Sequence, residues 1–273
     1  MWKNNVYNLL NNIHVMNEFL FDRKLLKAFN IRYKKGFNNY NFLYEEIANR
    51  ILENLNIGNL KFESVLELNN IKSSFHGKIN CKKIITSNLD IVFDDEFIPF
   101  YDNSFDLVIS NLNIHFINNF ESFLSQIKNI LQPNGIFIAS FFGETNLTEL
   151  ASSIYLAENK ICGGVSPRMI PTIDVKTSAL LLKKAGFVDS ISDHEKIVIN
   201  YDDPYQLLVD LKNMGQGNIL NKRTRKFFTK SLLNEIINNY KKSFKNDDGT
   251  YRATFEIITI SGKKEVIPNP ILK

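Results

Sequence analysis

The N-terminal part of the chain repeats apolar residues at the spacing of a helix. Four of them lie four positions apart and form one apolar stripe: Leu43, Ile47, Ile51 and Leu55. Gly58 follows the last of these and is a suitable helix stop. The pattern predicts helical structure over residues 17–55.

Short apolar runs come next, alternating with turns and one amphipathic stretch. Strands are predicted at residues 65–68, 83–86, 105–110 and 136–142, with a short extended piece at 97–100. A helix is predicted at 120–131, followed by a turn at 133–135. This alternation predicts a parallel sheet with crossover helices, which is an α/β fold of the Rossmann-like kind.

The pattern loosens after Gly143. Helices are predicted at 147–160, 175–185, 203–214 and 224–243, two short strands around a turn at 187–201, and a late strand at 253–264. A helical segment between two strands of one sheet is the layout of a cap. We therefore expect a single domain with N-terminal helices (1–58), a nucleotide-binding core (59–143) and a C-terminal part with a helical cap (144–264).

Composition and charge exclude several classes of function. The 273 residues are 44% hydrophobic, and the net charge of +4 is spread along the chain without a basic block, which argues against nucleic-acid binding. Two cysteines and four widely separated histidines make a metal site or a disulfide framework improbable. We expect no signal peptide and no membrane span, and hence a cytoplasmic protein.

The carboxyl ends of parallel strands are where open α/β sheets bind ligands. Glu67 closes the first strand, and the residues after it stand where a nucleotide loop uses glycine to reach φ > 0. Asn69 tolerates such a backbone, whereas a β-branched Ile71 with φ > 0 would be an outlier whose side chain fills ligand space. Either the loop is a changed cofactor site or it is an ordinary strand end.

Further polar residues follow the next strands. Asn88 comes 19 positions after Asn69, where an acidic residue usually binds the ribose hydroxyls. Asp94 and Asp95 could accept from an adenine amino group. Asn111 lies directly after the strongest strand and is a further cofactor candidate. Caps, exposed loop acids and structural residues explain the same positions equally simply.

Two side chains in the loop after the strongest strand are candidates for catalysis, namely Asn113 and His115. Histidine titrates in the range that acid–base chemistry needs. A histidine between Ile114 and Phe116 is more often structural, so the catalytic role is one of two interpretations.

The order of segments resembles a known family. "VLELNN", "DDEFIPFYDNSFDLVISNLNIHFINN" and "ILQPNGIFIASFFG" are similar to the class I S-adenosylmethionine-dependent methyltransferases of type 11. "GGVSPRMIP", "LKNMGQGN" and "NDDGTYRATFEIITISGKK" are similar to a narrower branch, that of the complex I assembly arginine hydroxylase and its bacterial relatives. That branch lies beside the malonyl-ACP O-methyltransferases of biotin synthesis.

The resemblance implies a Rossmann-like transferase fold, S-adenosylmethionine as cofactor, and a protein or acyl-carrier substrate. It implies that Asp94 contacts adenine and that residues 110–116 border the methyl donor. It also places six residues on the substrate side: Gly163, Gly164, Ser166, Pro167, Met214 and Gly215. The chain departs from the family in its loop, where all three glycines are replaced, and at the ribose acid, which is Asn88.

Three functions remain open from the sequence. The first is an enzyme that binds S-adenosylmethionine in an altered pocket and modifies a protein, such as a respiratory complex I subunit, or an acyl carrier. The second is an assembly factor that kept the fold and partner surface and lost the cofactor. The third is methylation of malonyl-ACP.

Overall fold

The computed structural model describes residues 19–69, 71–225 and 228–265. Within them one sheet holds six strands: β1 (Phe62–Leu68), β2 (Cys81–Thr86), β3 (Phe105–Asn111), β4 (Leu131–Phe142), β5 (Phe187–Tyr201) and β6 (Tyr251–Lys264). Their order across the sheet is β2-β1-β3-β4-β6-β5. The first four strands are mutually parallel, and β6 runs antiparallel between β4 and β5. The predicted Rossmann-like α/β fold is confirmed.

Seven α-helices are described: α1 (Arg23–Tyr33), α2 (Phe42–Ile57), α3 (Phe120–Ile130), α4 (Thr148–Cys162), α5 (Val175–Lys184), α6 (Pro204–Asn213) and α7 (Lys230–Ser243). Side-chain caps set several of their starts. Asn119 accepts from the N–H of Ser122, and Asp174 accepts from that of Thr177. None of the helices in these described ranges is long and apolar enough to cross a bilayer.

Helices cover both faces of the sheet. On one face, buried residues of α2, such as Leu43 and Ile47, pack with Val65 of β1 and Leu107 of β3. On the other face, Phe123 of α3 and Leu182 of α5 pack with Leu66 and Val108. Parallel strands that are covered on both faces are mainly apolar at their centres, which explains the short apolar runs in the sequence.

A third, smaller cluster joins the N-terminal segment to the part of the chain between β5 and β6, which is called the cap below. Phe21, Leu26, Phe116, Ile219 and Leu220 are buried together. The backbone N–H of Asp22 donates to the carbonyl of Ile219 at 2.8 Å. The start of α1 and the loop after α6 therefore close over the carboxyl ends of the strands.

The structure corrects three predictions. Residues 187–201 form one strand rather than two, because the Asp189 region only shifts the register between Val188 and Ile191. The turn predicted at 133–135 is present as a bulge inside the long β4. Asn134 takes φ 64° there, and β4 advances from Leu131 to Ile136 while β3 advances only from Phe105 to Leu107.

The other two corrections concern helix boundaries. The helix predicted from 224 begins at Lys230, because the side chain of Thr229 accepts from the N–H of Leu232 and caps it there. The helical region predicted over 17–55 is broken into α1 and α2 by a short 3₁₀ turn at Phe37–Asn39. Residues 17–18 lie outside the described part.

Candidate functional site

Glu67, at the carboxyl end of β1, is buried and fully engaged. Its carboxylate accepts from the backbone N–H of Ser74 at 2.7 Å, from the hydroxyl of Ser73, and from the hydroxyl of Thr86 at 3.4 Å. Burial raises the pKa of this carboxyl, and the three donors oppose that rise. Glu67 therefore shapes the loop after β1 from beneath.

Asn69 ties the loop after β1 to the end of β2. Its backbone N–H donates to the Ser87 hydroxyl at 2.7 Å, and its carbonyl accepts from Ser87 at 3.0 Å and from the Asn88 amide nitrogen at 2.6 Å. Because Asn88 uses its nitrogen here, its amide oxygen is the atom that could accept from a ribose hydroxyl. The Asn69 side-chain oxygen accepts from the N–H of Ile71 at 2.8 Å, and its Nδ2 is buried with no partner in the described protein.

Ile71 does not have the strained, positive-φ backbone that was considered for it from the sequence. Neither Asn69 nor Ile71 is among the described residues with positive φ, so neither has the strained backbone that a glycine would relieve. The Ile71 side chain is buried, and its Cδ1 lies 2.6 Å from the position a Cβ would take on Gly215, which has φ +77°. Ile71 thus fills the space between the loop and the cap.

The two adjacent acids after β2 have different roles. Asp94 accepts from Nε (3.1 Å) and Nη2 (2.7 Å) of Arg23 on α1. Partial burial opposes ionisation of Asp94, but Arg23 keeps its pKa below the ordinary value. Asp95 is buried, accepts from Nδ2 of Asn113 at 2.8 Å, and has no partner at Oδ1; burial raises its pKa to about 6.

Asn111, at the end of β3, joins three elements. Its Nδ2 donates to the carbonyl of Tyr44 on α2 at 2.8 Å and to the hydroxyl of Ser74 at 3.1 Å. Its Oδ1 accepts from the hydroxyl of Ser140 on β4 at 2.9 Å. The side-chain amide is therefore used within the protein, and a cofactor contact through it stays a prediction.

His115 belongs to a buried chain of hydrogen bonds that crosses to the cap. Its Nε2 lies 2.9 Å from Oε1 of Gln216, and Nε2 of Gln216 donates to the Tyr44 hydroxyl at 2.7 Å. The Tyr44 hydroxyl in turn donates to the carbonyl of Met214 at 3.3 Å. Burial lowers the pKa of His115 to about 4, so the ring is neutral near pH 7, and its Nδ1 has no partner.

The segment after α4 is held by a buried glutamate. Gly163 ends the helix with φ 67°, and Gly164 follows with open space around it. Glu158 accepts from the backbone N–H of Ser166 at 2.9 Å and from its hydroxyl. Nε of Arg168 donates to the same carboxylate at 2.6 Å.

The same segment is bonded to the cap. The carbonyl of Pro167 accepts from Nδ2 of Asn218 at 2.8 Å. Met214, which is fully buried, and Gly215 lie in that loop immediately after α6. The residues predicted for the substrate side thus belong to two neighbouring segments, while their roles toward a substrate stay predictions.

Four buried polar atoms at this edge have no partner in the described protein: Nδ2 of Asn69, Oδ1 of Asp95, Oδ1 of Asn113 and Nδ1 of His115. All four belong to residues singled out from the sequence. Sequence reasoning missed five residues whose hydrogen bonds hold predicted site residues, namely Arg23 for Asp94, Tyr44 for Asn111, Ser87 for Asn69, Glu158 for Ser166 and Gln216 for His115. Gln216 lies within the family-like stretch "LKNMGQGN", but Tyr44 carries no local signal because it lies beside the apolar stripe of α2. In the described ranges, no group of three or more His, Cys, Asp or Glu side chains is arranged to hold a metal.

Comparison with known proteins agrees with this architecture. The family model described as "Methyltransferase domain" (Methyltransf_11) matches residues 73–139. Among solved structures, BH2331 of Bacillus halodurans, assigned to the methyltransferases, aligns with a TM-score of 0.50 at 18% identity over 79% of this chain and 99% of its own. The fold is that of the class I S-adenosylmethionine-dependent methyltransferases.

Relatives found by sequence comparison show to which family within this class the chain belongs. The mouse arginine-hydroxylase NDUFAF5, mitochondrial, is 32% identical over 244 residues, covering 82% of this chain and 71% of that protein. Malonyl-[acyl-carrier protein] O-methyltransferase 1 of Coxiella burnetii is 27% identical over 161 residues, covering 59% of this chain and 54% of its own. The chain belongs to the family of the arginine-hydroxylase NDUFAF5.

Proposed function

We propose that this chain binds S-adenosylmethionine across the carboxyl ends of β1, β2 and β3 and modifies an arginine side chain of a protein partner. The arginine comes from the name of the relatives, the arginine-hydroxylases. The main support for the cofactor site is the set of four buried polar atoms that lack hydrogen-bond partners at the carboxyl ends of the strands. Such atoms are rare in native interiors, and in a cleft they indicate a ligand or ordered water.

The energy cost of these unpaired buried atoms favours a retained ligand site. An unsatisfied buried donor or acceptor costs about 1–3 kcal/mol. Four together would cost on the order of 4–12 kcal/mol, comparable with the whole stability of a typical domain. A ligand that supplies the missing partners recovers much of that cost.

The donor set fits S-adenosylmethionine. Nδ2 of Asn69 can donate to its carboxylate, the amide oxygen of Asn88 can accept from its ribose, and Oδ1 of Asp95 can accept from its adenine amino group. When bound, the cofactor supplies a sulfonium with a transferable methyl group. The chain contributes orientation and exclusion of water, because buried Phe116 and Phe142 flank the His115 ring.

A second candidate is a cofactor-free assembly factor that binds the same partner. Ile71 favours it, because its side chain occupies the space between the loop and Gly215 that a glycine would leave open. The Arg23–Asp94 ion pair favours it too, because that carboxylate is already engaged. In this case the fold serves as a binding surface and the edge stays closed.

The proposed partner is a subunit of respiratory complex I, as the family resemblance implies. The test is to co-express the chain with that subunit and to measure the masses of the subunit's arginine-containing peptides. One expected result is a gain of one methylene group on a single arginine, by methyl transfer that releases S-adenosylhomocysteine and the displaced N–H proton. With dioxygen and a two-electron reductant present, which together supply one oxygen atom and leave water, a gain of one oxygen atom on that arginine is the other. Either gain should be lost in the Asp95→Asn variant and kept in Asn213→Ala. A stable complex with unmodified arginines would replace the first candidate with the second.

A further inference from the structure

The hydrogen bonds around His115 have a direction that fixes the position of its proton. The chain ends at the carbonyl oxygen of Met214, which can only accept. The Tyr44 hydroxyl has one hydrogen and gives it to that carbonyl. Tyr44 must then accept from its other neighbour, which is the amide nitrogen of Gln216 at 2.7 Å.

The direction of the hydrogen bonds extends from Gln216 to the imidazole of His115. Since the nitrogen of Gln216 faces Tyr44, its oxygen faces His115, and an amide oxygen can only accept. Nε2 of His115 must therefore carry the hydrogen. In a neutral imidazole the other nitrogen is then bare, so Nδ1 has a free lone pair.

The surroundings leave that lone pair unused. Nδ1 is buried and has no donor in the described protein, and the ring packs between Phe116 and Phe142. Asn113, two residues earlier, likewise leaves its acceptor atom Oδ1 unpaired. The loop after β3 thus presents acceptors that lack donors, which suits a ligand group with several N–H donors.

We infer that Gln216 and Tyr44 are positioning residues that hold His115 as its Nε2–H tautomer, so that Nδ1 accepts a hydrogen bond from a guanidinium N–H of the substrate. The proposed function enters this inference only through the identity of the donor. The tautomer itself follows from the hydrogen-bond chain alone.

The experiment is long-range ¹H–¹⁵N correlation of the imidazole rings in the full chain labelled with ¹⁵N-histidine. The His115→Gln variant identifies the His115 signals by their loss. Wild type is expected to show one neutral form, with a protonated Nε2 and a bare Nδ1. Asn213→Ala is the matched control, because among the described residues the Asn213 side chain bonds only to the carbonyl of Val209 within α6.

Three variants test the positioning. Gln216→Ala removes the acceptor and is expected to give a mixture of tautomers, whereas Gln216→Glu keeps an acceptor oxygen and is expected to preserve the Nε2–H form. Tyr44→Phe frees the Gln216 amide to rotate and is expected to populate the second tautomer, which gives a test should the alanine variant not fold.

The ligand arm uses N-acetyl-L-arginine amide as the probe. It is expected to shift the Nδ1 resonance and to leave that of Nε2 in place. A proton on Nδ1 in wild type, an unchanged tautomer in both Gln216→Ala and Tyr44→Phe, or an unmoved Nδ1 with saturating probe would overturn the inference. Failure of S-adenosylmethionine to bind would leave the tautomer signals unchanged, so it is distinguishable from failure of this inference.

Discussion

Asp95 gives the sharpest prediction, because one substitution should stabilise the protein and weaken its ligand site together. The carboxylate accepts from Asn113 through Oδ2, while its Oδ1 and the Oδ1 of Asn113 are both acceptors without donors. In Asp95→Asn the new amide oxygen can still accept from Asn113. The new amide nitrogen can donate to the unpaired oxygen of Asn113.

The expected gain in the free energy of unfolding of Asp95→Asn follows from the raised pKa of Asp95 and from the new hydrogen bond. Burial raises the pKa of Asp95 from 3.8 to about 6, so the folded state binds this proton more tightly than the unfolded state. The stability that Asp95 contributes is present below pH 3.8 and is lost as the pH rises through about 6. Two pKa units correspond to about 3 kcal/mol, and the added hydrogen bond to about 1 kcal/mol.

The assay is urea unfolding of wild type and Asp95→Asn between pH 4 and pH 7.5. The variant is expected to exceed wild type by about 2–4 kcal/mol at pH 7.5, and the difference should shrink to about 1 kcal/mol near pH 4. Taking the difference cancels Glu67 and the other carboxyls, which are the same in both chains. A variant less stable than wild type at pH 7.5, or a difference independent of pH, would refute the reasoning.

Four further changes test the loop and its neighbours. Ile71→Ala should lower the free energy of unfolding in urea by about 2–4 kcal/mol, because it empties a buried position; no loss would mean that Ile71 is not packed against the cap. Gly215→Ala should cost about 1–3 kcal/mol, because φ is +77° there. A urea double-mutant cycle with Ile71→Ala should show coupling, because the new Cβ would lie 2.6 Å from Cδ1 of Ile71. Strict additivity of the two changes would contradict that contact. Glu67→Gln should cost about 1–3 kcal/mol, because the new amide nitrogen cannot accept from the Ser73 and Thr86 hydroxyls that donate to one carboxylate oxygen. An unchanged urea midpoint would contradict that. Arg23→Gln should change the melting temperature little, since a partly exposed ion pair with Asp94 contributes under about 1 kcal/mol. A large, salt-independent loss would instead show that the hydrogen bond from Arg23 to the carbonyl of Phe116 matters more than the ion pair.

Most of the fold was predictable because the sheet is covered on both faces. Strands such as β3 must then be mainly apolar, and a run like "FDLVIS" has few other interpretations. The long β5 was predicted as two short strands around a turn, because polar residues interrupt its apolar positions. In the structure the pairing of β5 with β6 outweighs that local preference and leaves only a register shift.

The positions of the candidate site residues along the chain could be predicted, but most of their contacts could not. Strand ends identify Glu67, Asn69, Asp95 and His115, because ligand loops follow parallel strands. Their partners come from distant segments, as with the 101 residues between His115 and Gln216. Such pairs depend on how the cap folds over the sheet, which no local pattern specifies.

Direct titration of S-adenosylmethionine into the full chain by calorimetry tests the central claim. A saturable heat with one site per chain is expected, together with weaker binding in Asp95→Asn and unchanged binding in Asn213→Ala. Ligand at 100 times Kd should also stabilise the fold by about 2.7 kcal/mol. No heat and no stabilisation at millimolar ligand, with the protein folded, would contradict the cofactor site and leave the chain as a binding protein of the arginine-hydroxylase family.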